Sequence, residues 1–171
     1  MYLKMGILKN KMRIGILGGG QLAMMMIQMS IKHNIEFMVV DPGDNPPASK
    51  YAKCIKSDYN HKDTLDYLID NCDVVTIDFE NVPSDALKYL ENKISVYPSS
   101  YAVEICQDRL KEKAIFNKNN IPTTEYHIVN SEEDLSLAIN ILGTDSILKL
   151  RKLGYDGKNQ IVINQYSAEE T

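Results

Sequence analysis

Short apolar runs alternate with amphipathic stretches along most of the chain, and clusters of glycine, proline and small polar residues separate them. Arg13 to Leu17 reads as a buried strand, glycines 18 to 20 turn the chain, and a helix is expected from about Gln21 to His33. Glu36 to Val40 returns as a second strand, and Asp41 to Pro47 is a loop by composition. An extended piece near Cys54 to Lys56 precedes a helix from Asp63 to Asp70, with Leu65, Leu68 and Ile69 on one side. Val74 to Ile77 is a further parallel strand, Asp85 to Asn92 a helix, and Ile94 to Tyr97 a short last strand. Pro98-Ser99-Ser100 caps a helix from about Tyr101 to Gln107. Asp108 to Lys118 is the next helix, with Leu110, Ala114 and Ile115 inward and the lysines outward.

Ile121-Pro122-Thr123-Thr124 breaks that helix and opens a second region. Tyr126 to Val129 suggests a strand, and Ser131-Glu132-Glu133-Asp134 resembles a capping box for a helix ending near Leu142-Gly143. Apolar runs around 147 to 150 and 161 to 163 then flank polar turn-formers, the pattern of a β-hairpin. This order of elements predicts an α/β fold, a Rossmann-like parallel sheet followed by a smaller part that ends in the hairpin.

Composition narrows the picture. The chain has 171 residues, 44% of them hydrophobic, enough for one ordinary domain or one and a half small ones. A formal net charge of −4 without a long basic run argues against nucleic acid as a general partner, so any anion site must be local. Cys54, Cys72 and Cys106 are odd in number and far apart, which indicates neither a disulfide framework nor a zinc site and suits a reducing cytosol. His33, His61 and His127 are equally scattered and read as ordinary surface or core residues. No run approaches the ~18 to 20 apolar residues of a membrane span. Residues 1 to 11 are basic without a following apolar stretch and cleavage site, and read as an extension ahead of Met12. Met24, Met25, Met26 and Met29 are expected to face the core, because methionine fills irregular apolar space.

Two stretches could carry chemistry. Gly18-x-Gly20-x-x-Ala23 lies between a strand and a helix, and Asp41 follows at about the spacing of a ribose-binding acid. Alone, this suggests a nicotinamide-binding module. The same turn serves other anionic ligands through its exposed N–H groups, and the glycines could equally be needed only for a tight turn. The second stretch is the loop of the hairpin, where Gly154 and Gly157 let the backbone approach phosphate and Lys149, Arg151, Lys152 and Lys158 add positive charge. An ordinary basic surface hairpin has the same pattern.

The run Lys149-x5-Tyr155-Asp156-Gly157-Lys158-x-Gln160 resembles the glycine-loop region of ATP-grasp ligases. Gly154-Tyr155-Asp156-Gly157 is most similar to their 5-(carboxyamino)imidazole ribonucleotide synthase family. Ile16-Leu17-Gly18-Gly19-Gly20-Gln21-Leu22, Asp78-Phe79-Glu80-Asn81-Val82-Pro83 and Gln107-Asp108-Arg109-Leu110-Lys111-Glu112-Lys113 match in the same order. The resemblance implies a pre-ATP-grasp domain at 12–98, a helical linker at 99–120 and a partial ATP-grasp A subdomain at 121–171. It implies ATP-dependent carboxylation of 5-aminoimidazole ribonucleotide with bicarbonate in purine biosynthesis, giving ADP and phosphate, with magnesium and with a homodimer as the common assembly.

By the same resemblance Arg109, Lys149, Gly154, Tyr155, Asp156, Gly157, Lys158, Asn159 and Gln160 are expected at ATP, and Gln21, Leu22 and Glu80 at the ribonucleotide. Without the resemblance, Glu80 reads as a solvated or helix-capping carboxylate and Arg109 as a surface ion-pair partner. Ala23 and Asn159 stand where the family commonly has glycine; asparagine tolerates a positive φ better than most residues. The family's metal-binding half is not matched, so no metal ligand is expected in these residues and the chain by itself is expected to be inactive. Three other readings remain open: an NAD-binding module, a non-catalytic assembly remnant, and a related ATP-grasp carboxylase or formyl-transferring ligase.

Overall fold

The computed structural model describes residues 11–154 and 159–164. The chain divides into two compact units, Met1–Glu104 and Ile105–Thr171. Among the described residues no helix is long and apolar enough to cross a membrane.

The first unit is a five-stranded, all-parallel sheet in the order β3-β2-β1-β4-β5. Its strands are β1 (Met12–Leu17), β2 (Ile35–Asp41), β3 (Lys53–Lys56), β4 (Val74–Ile77) and β5 (Ser95–Val96). Helices α1 (Gln21–Met29), α2 (Lys62–Asn71) and α3 (Ser84–Glu91) connect them, with a short 3₁₀ turn at Pro47–Lys50. Successive strand residues point to opposite faces, so β1, β2 and β3 each feed two cores, while β4 and β5 add to one of them. Ile16 and Val39 join Ala23, Ile27, Phe37 and Ala48 in one cluster. Their neighbours Leu17 and Val40 join Leu65, Leu68, Val75, Leu87 and Leu90 in the other. The strand order reverses between β1 and β4, and open sheets of this kind bind ligands outside the carboxyl ends of the strands at that point.

Two expectations for α1 fail. The helix stops at Met29 rather than His33: Ser30 still donates to Met26 O, but the N–H groups of Ile31 and His33 turn back only three residues, to Gln28 O and Ser30 O, so the chain continues in tighter turns. The methionines do not form a core face either. Only Met24 packs against the buried cluster, while Met25, Met26 and Met29 are 52%, 36% and 81% exposed.

Helix α4 (Ser100–Cys106) leads to the second unit, which contains α5 (Arg109–Lys118), α6 (Glu132–Leu142) and the antiparallel pair β6 (Ser146–Lys149) and β7 (Gln160–Ile163). Ser131 caps α6 by accepting from the Asp134 N–H, while Asp134 accepts from the Asn130 N–H rather than completing the box at Ser131. Gly143 ends the helix at φ +82°. Tyr126 to Val129 is not a strand: its composition is right, but no described strand pairs with it, and a strand exists only through its ladder. Helix α5 buries no residue, Ala114 is exposed, and Lys113 does not point outward as expected. Its ammonium donates to the hydroxyls of Thr123 and Thr124 and to Thr124 O, and lies 5.5 Å from the Tyr126 ring centroid.

Candidate functional site

The first candidate lies at the switch point, where the loop after β1 meets the loop after β4. Gly18 has φ +99°, and a Cβ there would stand 2.6 Å from Asp78 Cβ. At Gly20 a Cβ would collide with the Asp78 carboxylate. Glycine is therefore required by the close approach of the two loops as well as by the turn. Asp78 uses that proximity. Its Oδ2 accepts from the Gly20 N–H at 2.7 Å and its Oδ1 from the Ala23 N–H, so one carboxylate takes two donors at the start of α1.

Asp41, at the end of β2, holds the same loop from the other side. It accepts from the Gly19 N–H at 2.8 Å, the Gly43 N–H at 2.7 Å and the Tyr59 hydroxyl at 3.3 Å. Burial, and then the charge of Asp41, push the Tyr59 phenol pKa upward and keep it a donor. The Gly18 N–H goes to Val40 O at 2.8 Å. The N–H groups of residues 18, 19 and 20 are thus all consumed internally. An incoming pyrophosphate would face the Asp78 carboxylate, and Asp41 is committed to the Gly19 and Gly43 N–H groups and the Tyr59 hydroxyl rather than to a ribose. The expectation that Asp41 could serve a nicotinamide dinucleotide is not supported by this geometry.

What stays accessible follows directly in the chain. Gln21 and Leu22 occupy the first two positions of α1, both exposed, and their N–H groups make no hydrogen bond among the described residues. Glu80 lies two residues beyond Asp78, is exposed, and its Oε1 accepts from the Asn81 amide at 3.5 Å. The expected substrate residues therefore lie at the start of α1 and in the loop after β4, next to the contact that Asp78 makes with Gly20 and Ala23. Two surface cavities of the first unit, of about 420 Å³ beside Glu91 to Tyr97 and about 200 Å³ beside Arg13, Glu36 and Lys53, include none of them.

The second candidate is built by the start of α5 and the β6–β7 hairpin. Lys149 ends β6 opposite Gln160 of β7, is exposed, and forms no ion pair among the described residues. Asn159 has φ +57°, the left-handed conformation expected at this position, and its carbonyl accepts from the Leu150 N–H at 3.3 Å. Leu153 also adopts a positive φ of 59°, whereas Gly154 does not. Tyr155, Asp156, Gly157 and Lys158, expected at ATP, lie outside the described residues.

Arg109 and Arg151 are equal charges in the sequence and unequal in the structure. Arg151 makes a bidentate ion pair with Asp108, Nε to Oδ1 and Nη2 to Oδ2, both at 2.7 Å. Asp108 is 1% exposed and also accepts from the Leu110 N–H at 3.1 Å, so it caps α5. The Arg151 fork holds the Asp108 carboxyl pKa down at about 2 despite its burial. The expectation that Arg151 adds free positive charge to the loop is therefore corrected. Arg109, in contrast, uses its Nε to donate to Leu150 O at 3.2 Å and its backbone N–H to donate to Arg151 O at 3.1 Å. Its Nη groups make no hydrogen bond among the described residues, and a Cβ on Gly154 would lie 3.4 Å from Nη2. An exposed, partly anchored guanidinium of this kind is suited to an anionic oxygen.

Sequence reading missed Asp78, Asp41 as a clamp, and the Asp108–Arg151 pair. The available signals were acids closing two apolar strand runs, Asp41 and Asp78, and an acid directly before a helix, Asp108. Among the described residues no group of three or more His, Cys, Asp or Glu side chains is placed to hold a metal ion, so no chemical step is assigned to magnesium.

Comparison with known proteins gives consistent matches. Residues 11–107 match the ribonucleotide synthetase preATP-grasp domain, and residues 114–171 match the ATP-grasp domain. The N5-carboxyaminoimidazole ribonucleotide synthase of Pseudomonas aeruginosa is 37% identical over 154 residues, covering 90% of this chain and 43% of that protein. A bifunctional purine synthesis protein of Dictyostelium discoideum is 40% identical over 149 residues, covering 86% of this chain and 15% of that one. The ADP complex of an N5-carboxyaminoimidazole ribonucleotide synthetase superimposes with a TM-score of 0.87 at 33% identity, covering 94% of this chain and 43% of that one. A complex of the Aspergillus clavatus synthase with ADP and 5-aminoimidazole ribonucleotide gives 0.78 at 26% identity, covering 93% and 42%. The chain thus spans less than half the length of these relatives.

Proposed function

Because the chain belongs to the ribonucleotide synthetase preATP-grasp family, we propose that it carries the acceptor platform and part of the nucleotide clamp of an ATP-dependent carboxylating ligase. The acceptor is 5-aminoimidazole ribonucleotide and the carbon source is bicarbonate. A bicarbonate oxygen attacks the γ-phosphorus of ATP and ADP leaves. The resulting carboxyphosphate transfers its carboxyl group to the exocyclic amine of the acceptor, with loss of phosphate and a proton. Relatives named for this product, and one solved with both ADP and the acceptor, support the reading.

The chain's own residues divide the work. Arg109 and Lys149 offset charge on phosphate oxygens, with Asn159 and Gln160 shaping the hairpin beside them. Tyr155, Asp156, Gly157 and Lys158 belong to the same proposed nucleotide set. Gln21, Leu22 and Glu80 bind the acceptor. With the Asp78 carboxylate at the neighbouring N–H groups, this edge suits the acceptor's hydroxyl and amine groups better than its phosphate. The proposed setting is a reducing cytosol, in keeping with three free cysteines, and the proposed assembly is a homodimer.

The observation that carries the reading is the Arg109 guanidinium, anchored through Nε beside Gly154 with its Nη groups unspent. Titration of the isotopically labelled chain by NMR tests it. ADP is expected to shift Arg109, Lys149, Asn159 and Gln160, 5-aminoimidazole ribonucleotide to shift Gln21, Leu22 and Glu80, and NADH to shift neither set. Shifts at Gly18 to Leu22 with NADH, or none at the hairpin with ADP, would overturn the proposal.

A further inference from the structure

Three backbone and side-chain links converge on the start of α5. The buried Asp108 carboxylate receives both arms of Arg151 at 2.7 Å, Arg151 O receives the Arg109 N–H, and Leu150 O receives the Arg109 Nε–H. Arg151 lies in the loop that leaves β6, and Leu150 is held in turn by the Asn159 carbonyl at the foot of β7. The carbonyls that aim Arg109 therefore belong to a turn whose position depends on the Arg151 side chain. Removing the fork would leave Leu150 O and Arg151 O without a fixed orientation toward α5. A fork is needed, because a bidentate guanidinium fixes direction as well as distance, which an ammonium does not.

We propose that Asp108 and Arg151 form a latch that positions Arg109 for the nucleotide phosphates, acting through the turn Leu150–Gly154 without touching the nucleotide. This rests on the nucleotide reading given above. Asp108 and Arg151 are thus positioning residues, and Arg109 is the residue that meets the ligand. The two arginines have separate tasks: one is neutralised so that the other can be held with its Nη groups outward.

Two measurements on the full chain test the latch. The first needs no nucleotide: the Nε–H signals of Arg109 and Arg151 are followed by NMR in the parent, Asp108→Asn and Arg151→Lys. Asparagine still accepts as a helix cap, so α5 is expected to persist while the fork is lost. In Asp108→Asn the Arg109 Nε–H is expected to lose its protection and order although the α5 amides stay in place. Arg151→Lys is expected to do the same with the net charge kept. An ordered Arg109 in either folded variant would overturn the latch, whether or not ADP binds. The second measurement is ADP affinity by titration calorimetry in a double-mutant cycle. Asp108→Asn is expected to weaken ADP about tenfold, or about 1.4 kcal/mol, and to have no further effect in an Arg109→Ala background. Equal losses in both backgrounds would show a general structural role and overturn the proposal. Absence of ADP binding in the parent would sink the nucleotide reading alone, and the Arg109 signal would still decide the latch.

Discussion

The two units hold themselves together by different means. In the first, two apolar clusters fill both faces of the sheet, and Ile16, Leu17, Val39, Val40, Leu68 and Leu90 are fully buried. In the second, Ala138 and Ile163 are the only buried apolar side chains among the described residues, and the most buried side chain is a carboxylate, Asp108. Ile141, Ile147, Leu153, Ile161 and Val162 there are all more than half exposed. The first unit therefore draws on non-directional burial, whereas the second draws on a few directional contacts around the start of α5 and the hairpin. Directional contacts suit a site that must aim one guanidinium. They also make the second unit sensitive to single charges and to pH, which a hydrophobic core is not.

Truncating the first unit's core should give the largest effect. Leu90→Ala is expected to cost about 2 to 5 kcal/mol of stability, read from the urea midpoint of the first unit's amide signals. A loss below about 1 kcal/mol would mean that this core collapses around the cavity and that the contrast is weaker than drawn.

Acid should act next, and on the second unit. Asp108 titrates at about 2 when folded against an ordinary 3.8, so its pKa is depressed by folding. The stability it contributes is fully present above about pH 4 and is lost as pH falls through about 2. Hydrogen exchange at the start of α5 should therefore rise between those values in the parent, and Asp108→Asn should flatten that rise while costing about 2 kcal/mol at neutral pH. If the first unit's core amides open over the same interval to the same extent, the proposed division between the units fails.

The smallest effect concerns Asn159. Glycine accepts φ +57° without a Cβ, so Asn159→Gly should leave the hairpin intact and change its stability by only about 0.5 kcal/mol in either direction. Loss of the Leu150 N–H to Asn159 O bond, seen as faster exchange at Leu150, would show that the asparagine side chain matters beyond its backbone angle.

Much of the first unit was legible because its strands are short apolar runs and its helices have one apolar face. Leu65 and Leu68 lie on the buried side of α2 as the periodicity required. The methionines of α1 misled, since a Met-rich stretch looks apolar whichever way it faces, and only packing decided that Met29 stays outside. The second unit was less legible. Tyr126 to Val129 has the composition of a strand without a ladder partner among the described residues, and α5 has too weak an apolar stripe to define an inner face.

Sequence alone determined the order of elements in the first unit, its parallel sheet, the antiparallel pairing of the apolar runs that form β6 and β7, and the tolerance of Asn159 for a left-handed backbone, because periodicity and local torsion are properties of neighbours along the chain. Tertiary structure decided which charges are spent. Asp78 reaches Ala23 across 55 positions and Arg151 reaches Asp108 across 43. Nothing in composition distinguishes Arg151 from Arg109. Only the fold brings a carboxylate within 2.7 Å of the first and leaves the Nη groups of the second unpaired among the described residues. Hydrogen bonds act over a few ångströms, so that distinction exists only once distant segments have met.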